Sequence, residues 1–345
     1  MSQIRTWNVA VIGECMIELH KEGGHIVQTF GGDTLNTAAY LSRMCGNDVH
    51  VEYVSAVGAS DTFSREMLEF WHSCGVHSAL SQRIPGRLPG LYAIDVDASG
   101  ERHFQYWRSE AAVRGCFETP DADGVLARLS GFDAVHLSGI SLAVLYPESR
   151  ERLLSAMERL AAQGVNISFD FNFRPHLWGA EPEKNSAPHY RRLSRVCRWV
   201  FLSPEELRAA GYSCEDSEDP AFYDALKELG AEEVIVKNGG KPCLILNNRT
   251  GETSLVPLGR MLEPRDTTAA GDSFTAAYLA AVHYGLSTRE AVERAHRLAS
   301  AVIMYPGAII PAEVTPPVFA DCQSVVTFTG NPLSSGREHI ERTFP

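Results

Sequence analysis

Six short runs with apolar centres are spaced along the chain: Asn8–Ile12, Val51–Val57, Ala134–Leu137, Val165–Phe169, Trp199–Leu202 and Glu233–Lys237. Each stops next to a small or polar residue, namely Gly13, Gly58, Ser138, Asp170, Ser203 and Asn238. Runs this short do not make helices, and their continuous apolar character does not suit a sheet wetted on one face. They read as strands covered on both sides. Helical stretches lie between and after them. Asn36–Cys45 follows a polar turn, Asp61–Cys74 opens on an acid and stops at Gly75, and Glu148–Gln163 stops at Gly164. Ser203-Pro204-Glu205-Glu206 has the form of a capping box, and Ser273–Tyr284 and Thr288–Met304 complete the set. Strand alternating with helix predicts an α/β chain with a mostly parallel central sheet.

The rhythm breaks twice. Met16–His20 and Ile26–Phe30 alternate apolar with polar around Glu22-Gly23-Gly24, which predicts a hairpin. Leu91–Val96 and His103–Trp107 flank Asp97-Ala98-Ser99-Gly100, a second hairpin turn with no helix between the strands. The two pairs are expected to join into a small sheet that forms a lid on the α/β body. The boundaries predicted from this pattern are 1–13, 37–87 and 109–320 for the body and 14–36 and 88–108 for the lid. A tail, 321–345, is rich in polar residues.

Lys and Arg number 31 against 43 Asp and Glu, a net charge of −12, which disfavours nucleic acid as a partner. An anionic ligand must therefore be held by local groups. No apolar run approaches the ~18–20 residues of a membrane helix, so no membrane association is expected. The polar start, Met1–Trp7, carries no secretory pattern. Eight cysteines stand singly with no C-x-x-C pair, which points to reduced thiols and a cytoplasmic setting. The twelve histidines show no metal-ligand spacing.

Two turns carry chemistry. Arg265-Asp266-Thr267-Thr268-Ala269-Ala270-Gly271-Asp272 leads into the helix from Ser273. Backbone N–H groups at a helix start have no intrahelical partner, and residues as small as Ala269, Ala270 and Gly271 let a phosphate approach them. Asp272 stands where that phosphate would lie, which suits a base taking a proton from an attacking hydroxyl. Its place at a helix N-terminus predicts a depressed pKa. Asp266 and Thr267 are read as loop organisers. The second turn, Gly31-Gly32-Asp33-Thr34-Leu35-Asn36, opens the first helix. Gly31-Gly32 lacks the G-x-G-x-x-G spacing of a dinucleotide site. Tyr106 and Arg108 are two residues apart on one lid strand and so share a face. A guanidinium there suits a carboxylate, which it can grip through two parallel N–H bonds.

Gly-Gly-x-x-x-Asn near the start and Asp-Thr-x-x-Ala-Gly-Asp near the end together resemble the PfkB (ribokinase-like) carbohydrate kinase family. The likeness extends in order from about Val9 to Pro311. It includes Gly13–Leu19, Phe30–Thr37, Arg87–Tyr92, Gly100–Arg102, Tyr106–Arg108 and Leu137–Leu142, and it is strongest toward the branch that acts on 2-keto-3-deoxygluconate. The resemblance implies a three-layer α/β/α ribokinase-like fold with a β lid, and ATP-dependent phosphorylation of that sugar acid at its C6 hydroxyl. It implies Asp272 as catalytic base and Ala269, Ala270 and Gly271 as the anion hole. It assigns Gly32, Asn36, Tyr92, Tyr106, Arg108, Arg174 and Asp272 to the substrate. It assigns Asn172, Lys237, Gly239, Gly240, Ala269 and Gly271 to the nucleotide. It links Glu206 to magnesium, although Ser203 replaces the Asn of the family's Asn-x-x-Glu motif and Glu206 has the capping-box role as a competitor. Many relatives carry Gly at the position of Ala269. ATP and Mg²⁺ are the implied co-substrate and metal, and a monovalent cation is left open. A homo-oligomer is expected, since an exposed lid sheet commonly has its apolar face covered by a partner. A neutral-sugar kinase of fructokinase or ribokinase type, and a non-catalytic sugar-acid sensor, are the alternatives.

Overall fold

Alternate residues of nearly every central strand feed two different cores, which is the period-two geometry of a sheet covered on both sides. Ala10, Ile12, Val135, Leu137, Ile167, Phe169, Val200 and Leu202 face one core, while Val9, Val11, Val51, Tyr53, Trp199 and Phe201 face the other. The computed structural model describes residues 6–96, 102–214, 219–259 and 262–316. Among them one sheet has eight strands. Its spatial order is Thr253–Val256, Cys243–Asn247, Glu233–Val236, Trp199–Leu202, Asn166–Asp170, Ala134–Ser138, Trp7–Ile12 and Val49–Val54. The six strands from Glu233–Val236 onward are parallel; Cys243–Asn247 runs antiparallel to them, and the edge strand Thr253–Val256 pairs antiparallel with Cys243–Asn247. Helices Pro147–Ala162 and Pro182–Ser194 cover one face through Leu153, Met157, Leu160 and Tyr190. Helices Asp33–Cys45, Thr62–Ser73, Ala270–His283 and Thr288–Val302 cover the other. This is the three-layer α/β/α arrangement expected from the sequence.

The lid is a four-stranded sheet in the order His25–Gly31, Met16–Glu22, Leu91–Val96, Arg102–Trp107. The two hairpins join through a parallel pairing that sets Glu18 beside Tyr92, and Tyr92 pairs in turn with Tyr106. Ile17, Leu19, Phe30 and Leu91 share one face of this sheet and pack on the body. Glu18, Tyr92, Phe104 and Tyr106 share the other. The predicted turn Asp97–Gly100 lies outside the described residues.

Several boundaries differ from the sequence expectation, each for a local reason. The strand predicted as Val51–Val57 is split: Val49–Val54 stays in the main sheet, and Ala56–Gly58 turns away to pair with Gln82–Ile84. The first helix starts at Asp33, not Asn36, with Gly32 as its cap, so Asn36 lies in its first turn. The helix predicted from Ser273 starts at Ala270. The segment after Ser203 is a 3-10 turn, Pro204–Ala210, ended by Gly211 in the left-handed region. Asp61 caps the helix Thr62–Ser73 as expected, accepting the Ser64 N–H at 2.8 Å.

One buried phenol ties a helix to the loop that feeds the site. Tyr190 is fully buried and its hydroxyl donates to the Phe171 carbonyl at 2.9 Å. Gly139 lies so close that a Cβ there would fall 1.8 Å from that oxygen. Tyr190→Phe is expected to lower the unfolding free energy by about 1 kcal/mol, the net worth of one buried hydrogen bond. Urea denaturation checks this through a lower midpoint at unchanged slope.

Candidate active site

The phosphate end is built from the start of helix Ala270–His283. Ala269 caps it in the left-handed region, with φ 60° and ψ 13°. The preceding loop is tied down by Asp266. Its Oδ1 accepts the Thr268 N–H at 3.0 Å and the Thr268 hydroxyl at 2.7 Å, and its Oδ2 accepts the Gly307 N–H at 2.8 Å. Asp266 therefore organises the loop, as the sequence suggested. The Ala270 N–H closes the turn on the Thr267 carbonyl at 3.2 Å. A helix start supplies the first-turn amides of Gly271 and Asp272 with no carbonyl from a preceding turn. Gly271 lies close to Lys237: a Cβ there would be 3.3 Å from Lys237 Nζ.

Lys237 sits under that turn at the end of strand Glu233–Val236. Its Nζ donates to Asp170 Oδ2 at 2.6 Å, and the Thr275 hydroxyl donates to the same oxygen at 2.9 Å. Burial opposes the charge on Lys237, but the carboxylates of Asp170 and Glu206 outweigh it and its pKa is raised. The strand-end rule thus delivers a cation to the helix start. Gly239 and Gly240 follow in an exposed turn, Gly239 with φ 54° and open space around it. Asn172, with φ 32°, donates to Asp33 Oδ2 at 2.6 Å.

Asp272 Oδ2 accepts the Asn36 Nδ2–H at 2.9 Å, so the first turns of two helices meet at this carboxylate. The expectation of a depressed pKa is overturned. Burial first, and then the neighbouring Asp33 carboxylate, push Asp272 up to about 7, against the opposing hydrogen bond from Asn36. Loss of water and a like charge outweigh the helix dipole here. A carboxylate titrating near neutrality is well suited to accept a proton at physiological pH.

The opposite end is cationic and aromatic. Arg108 Nη2 donates to Glu14 Oε2, and its guanidinium lies 5.7 Å from the Tyr106 ring centre. Tyr106 stacks on His176 at 5.8 Å and packs tilted against Tyr92 at 5.9 Å, and the Tyr92 hydroxyl donates to Glu18. Arg174 is exposed, its Nη1 donating to the Phe173 carbonyl at 3.2 Å. Burial pulls the His176 pKa down, with Arg108 and Arg174 adding to the fall, and the same two guanidinium groups oppose the burial-driven rise of Tyr106. Both arginines therefore lie within electrostatic reach of the Tyr106–His176 stack. The two ends connect through one segment. A Cβ on Gly32 would lie 2.2 Å from the Glu14 carbonyl, and the Asn36 N–H donates to the Gly32 carbonyl at 2.9 Å. Contacts thus run from Arg108 through Glu14, Gly32 and Asn36 to Asp272.

Glu206 is used up locally: its Oε1 accepts the Phe173 N–H at 2.7 Å and its Oε2 the Ser203 N–H at 2.8 Å. Among the described residues no cluster of three or more His, Cys, Asp or Glu side chains is arranged to hold a metal. Asp170 Oδ1 is buried without a partner, which fits a metal that arrives with a nucleotide and needs only one or two carboxylates. Sequence reasoning missed Glu14, Asp33 and His176. Glu14 was findable, since it follows Gly13 just past a strand end. A cavity of about 880 Å³ lies elsewhere, lined by Leu80, Gln82, Arg83, Arg87, Glu118 and Tyr146 among others, and none of the residues above borders it.

The left-handed Ala269 carries a cost of about 1–2 kcal/mol that glycine would avoid. Glycine's extra freedom in the unfolded chain gives back about 0.4–1 kcal/mol of that relief. Ala269→Gly is therefore expected to raise the unfolding free energy by up to about 1.6 kcal/mol, read by thermal melting.

Against this geometry the comparisons with known proteins are consistent. The model of the pfkB family of carbohydrate kinases matches residues 7–315. The chain is 43% identical over 315 residues to a 2-dehydro-3-deoxygluconokinase of Dickeya dadantii, covering 90% of this chain and 99% of that protein. In structure it superposes on a 2-dehydro-3-deoxygluconokinase of Thermotoga maritima with a TM-score of 0.76 at 20% identity, covering 89% and 95% of the two chains. It also superposes on an ATP-bound fructokinase of Xylella fastidiosa, with a TM-score of 0.71 at 23% identity over 90% and 95%. The chain belongs to the pfkB family of carbohydrate kinases.

Proposed function

We propose that this chain transfers the γ-phosphoryl group of ATP to the C6 hydroxyl of 2-dehydro-3-deoxygluconate, also called 2-keto-3-deoxygluconate. The observation that carries the reading is the pairing of ends. The Arg108 guanidinium lies against Tyr106 of the Tyr106–His176 stack, Arg174 acts electrostatically on the same two rings, and a continuous set of contacts joins Arg108 to a carboxylate poised near neutrality at a helix start. A neutral sugar has no use for the arginines, whereas a sugar acid does. The likeness to the Dickeya dadantii kinase over nearly its whole length supports the same substrate. The base and the anion turn are both intact, which disfavours a non-catalytic sensor.

In the reaction, Arg108 and Arg174 hold the substrate carboxylate and the lid aromatics cover the carbon chain. Asn36 orients the Asp272 carboxylate. As the O6–P bond forms and the bond from phosphorus to the ADP oxygen breaks, the hydroxyl proton passes to Asp272. The amides of Gly271 and Asp272, with Lys237 below them, face the charge that develops on the phosphoryl oxygens. Magnesium bound with the nucleotide would supply further charge neutralisation there, and Asp170, whose Oδ1 is buried without a partner, would be the residue to hold it. Gly239 and Gly240, in the exposed turn after Lys237, are assigned to the nucleotide in this reading. A homo-oligomer joined through the lid fits the exposure of Ile26, Phe104 and Trp107. A cytoplasmic setting agrees with seven described cysteines that are free and buried. Among the described residues no helix is long and apolar enough to cross a membrane.

Asp272→Asn is expected to lower kcat by about 10²–10⁴-fold, the usual contribution of a positioned base. In the unmodified chain kcat/KM is expected to rise with pH around a midpoint near 7, as Asp272 ionises. The same shift has a stability sign. A raised carboxyl pKa means the native state binds more protons than the unfolded state between the ordinary carboxyl range and about 7, so stability falls as pH rises through that window. Asp272→Asn should therefore melt higher than the parent at pH 8, with the difference shrinking toward pH 4. Near-normal turnover of the Asn variant would remove Asp272 as the base.

A coupled ADP assay over a panel of sugars and sugar acids tests the substrate. The keto-deoxy acid should exceed fructose in kcat/KM by at least about 100-fold, and Arg174→Ala should raise its KM about tenfold or more. Fructose used as well as the acid would overturn the assignment of both arginines.

A further inference from the structure

The carboxylate bound to Arg108 belongs to the protein. Glu14 is 3% exposed, and one of its oxygens accepts from Arg108 Nη2 while the other, Oε1, is buried with no partner. A buried carboxylate with an unmet oxygen is costly, and burial raises its pKa despite the arginine. The fold goes out of its way to keep it. A Cβ on Gly90 would lie 2.8 Å from Glu14 Oε1 and 3.2 Å from Arg108 Cβ, so only glycine at 90 leaves the pair its space. The pair also spans two parts of the fold, since Glu14 follows the main-sheet strand Trp7–Ile12 while Arg108 follows the lid strand Arg102–Trp107.

We propose that Glu14 is a positioning residue for Arg108: it fixes the guanidinium in the orientation that receives the carboxylate of a sugar acid and does not itself touch the substrate. The proposal rests on reading Arg108 as a carboxylate-binding group. Arginine has five N–H donors in a rigid fork. Glu14 Oε2 occupies Nη2, and the remaining donors serve the ligand. Without Glu14 the long side chain would have to be ordered when substrate binds, and that cost appears in binding. The Glu14 carbonyl seats Gly32 at the first helix start, so the same residue fixes the spacing between the acid end and Asp272.

The test is a double-mutant cycle in the full-length chain with 2-dehydro-3-deoxygluconate as the probe. Glu14→Gln keeps the shape and removes the charge. It is expected to raise KM about tenfold or more while kcat stays within about threefold, because the phosphoryl end is untouched. Arg108→Ala should also raise KM, and the double variant should match Arg108→Ala within about twofold, since Glu14 acts only through that arginine. Multiplying effects in the double variant would overturn the proposal, as would a KM for Glu14→Gln within about twofold of the parent. An inert Arg108→Ala would instead overturn the reading of Arg108 itself, which separates the two failures. If Glu14→Gln does not fold, Gly90→Ala replaces it: its added methyl displaces the carboxylate, and the same KM-selective loss is expected. An unchanged KM in that variant would refute the role of Glu14.

Discussion

The hydrogen bond from Asn36 to Asp272 joins residues 236 positions apart, and the site depends on it. It brings together the first turns of two helices, Asp33–Cys45 and Ala270–His283, that pack side by side in the same layer. Each helix start offers unpaired amides and a partial positive charge. Each also carries an acid, Asp33 in one and Asp272 in the other. Burial, and then the charge of Asp33, raise the pKa of Asp272. The protein sets this repulsion against Lys237, held by Asp170 beneath Gly271, and Asp272 titrates near neutrality as a result.

The cationic end solves a different problem. The chain carries a net charge of −12, so nothing in the overall field draws an anionic substrate. Attraction must be local, and in the proposed reading Arg108 and Arg174, which both act electrostatically on Tyr106 and His176, would supply it. The lid contributes Arg108, Tyr106 and Tyr92 from two adjacent strands in register, while the body contributes Arg174 and His176 from the loop after strand Asn166–Asp170. Motion of the lid would therefore change the separation between the arginines, which links closure to recognition of the acid.

Much of this was legible in the sequence because it rests on local rules. Strand ends marked by Gly13, Asp170 and Ser203 located the edge of the sheet where the candidate site lies, whereas Gly58 marked a strand that leaves the sheet, and the two hairpins announced the lid. Both functional helix starts were placed three residues late, for one reason: Gly32-Asp33 and Ala269-Ala270-Gly271 look like turn residues, yet packing between the two helices extends each into its glycine-rich or alanine-rich turn. Burial is not written locally, so Asp272 looked like a carboxylate depressed by a helix dipole. The Glu14–Arg108 pair depends on contact across 94 residues and leaves no local signal beyond a polar residue at a strand end. Glu206 shows the limit from the other side, since the capping pattern was readable and its carboxylate is held by two backbone amides.

The account stands on one distance relation: a substrate gripped by its carboxylate at Arg108 and Arg174 must present its terminal hydroxyl to Asp272. A crystal structure of the chain with 2-dehydro-3-deoxygluconate and a non-hydrolysable ATP analogue measures it directly. The predicted result is the sugar-acid carboxylate bound by both guanidinium groups, with O6 about 2.6–3.2 Å from an Asp272 oxygen, the reach of a general base. A carboxylate bound away from both arginines, or an O6 directed away from Asp272, would contradict it.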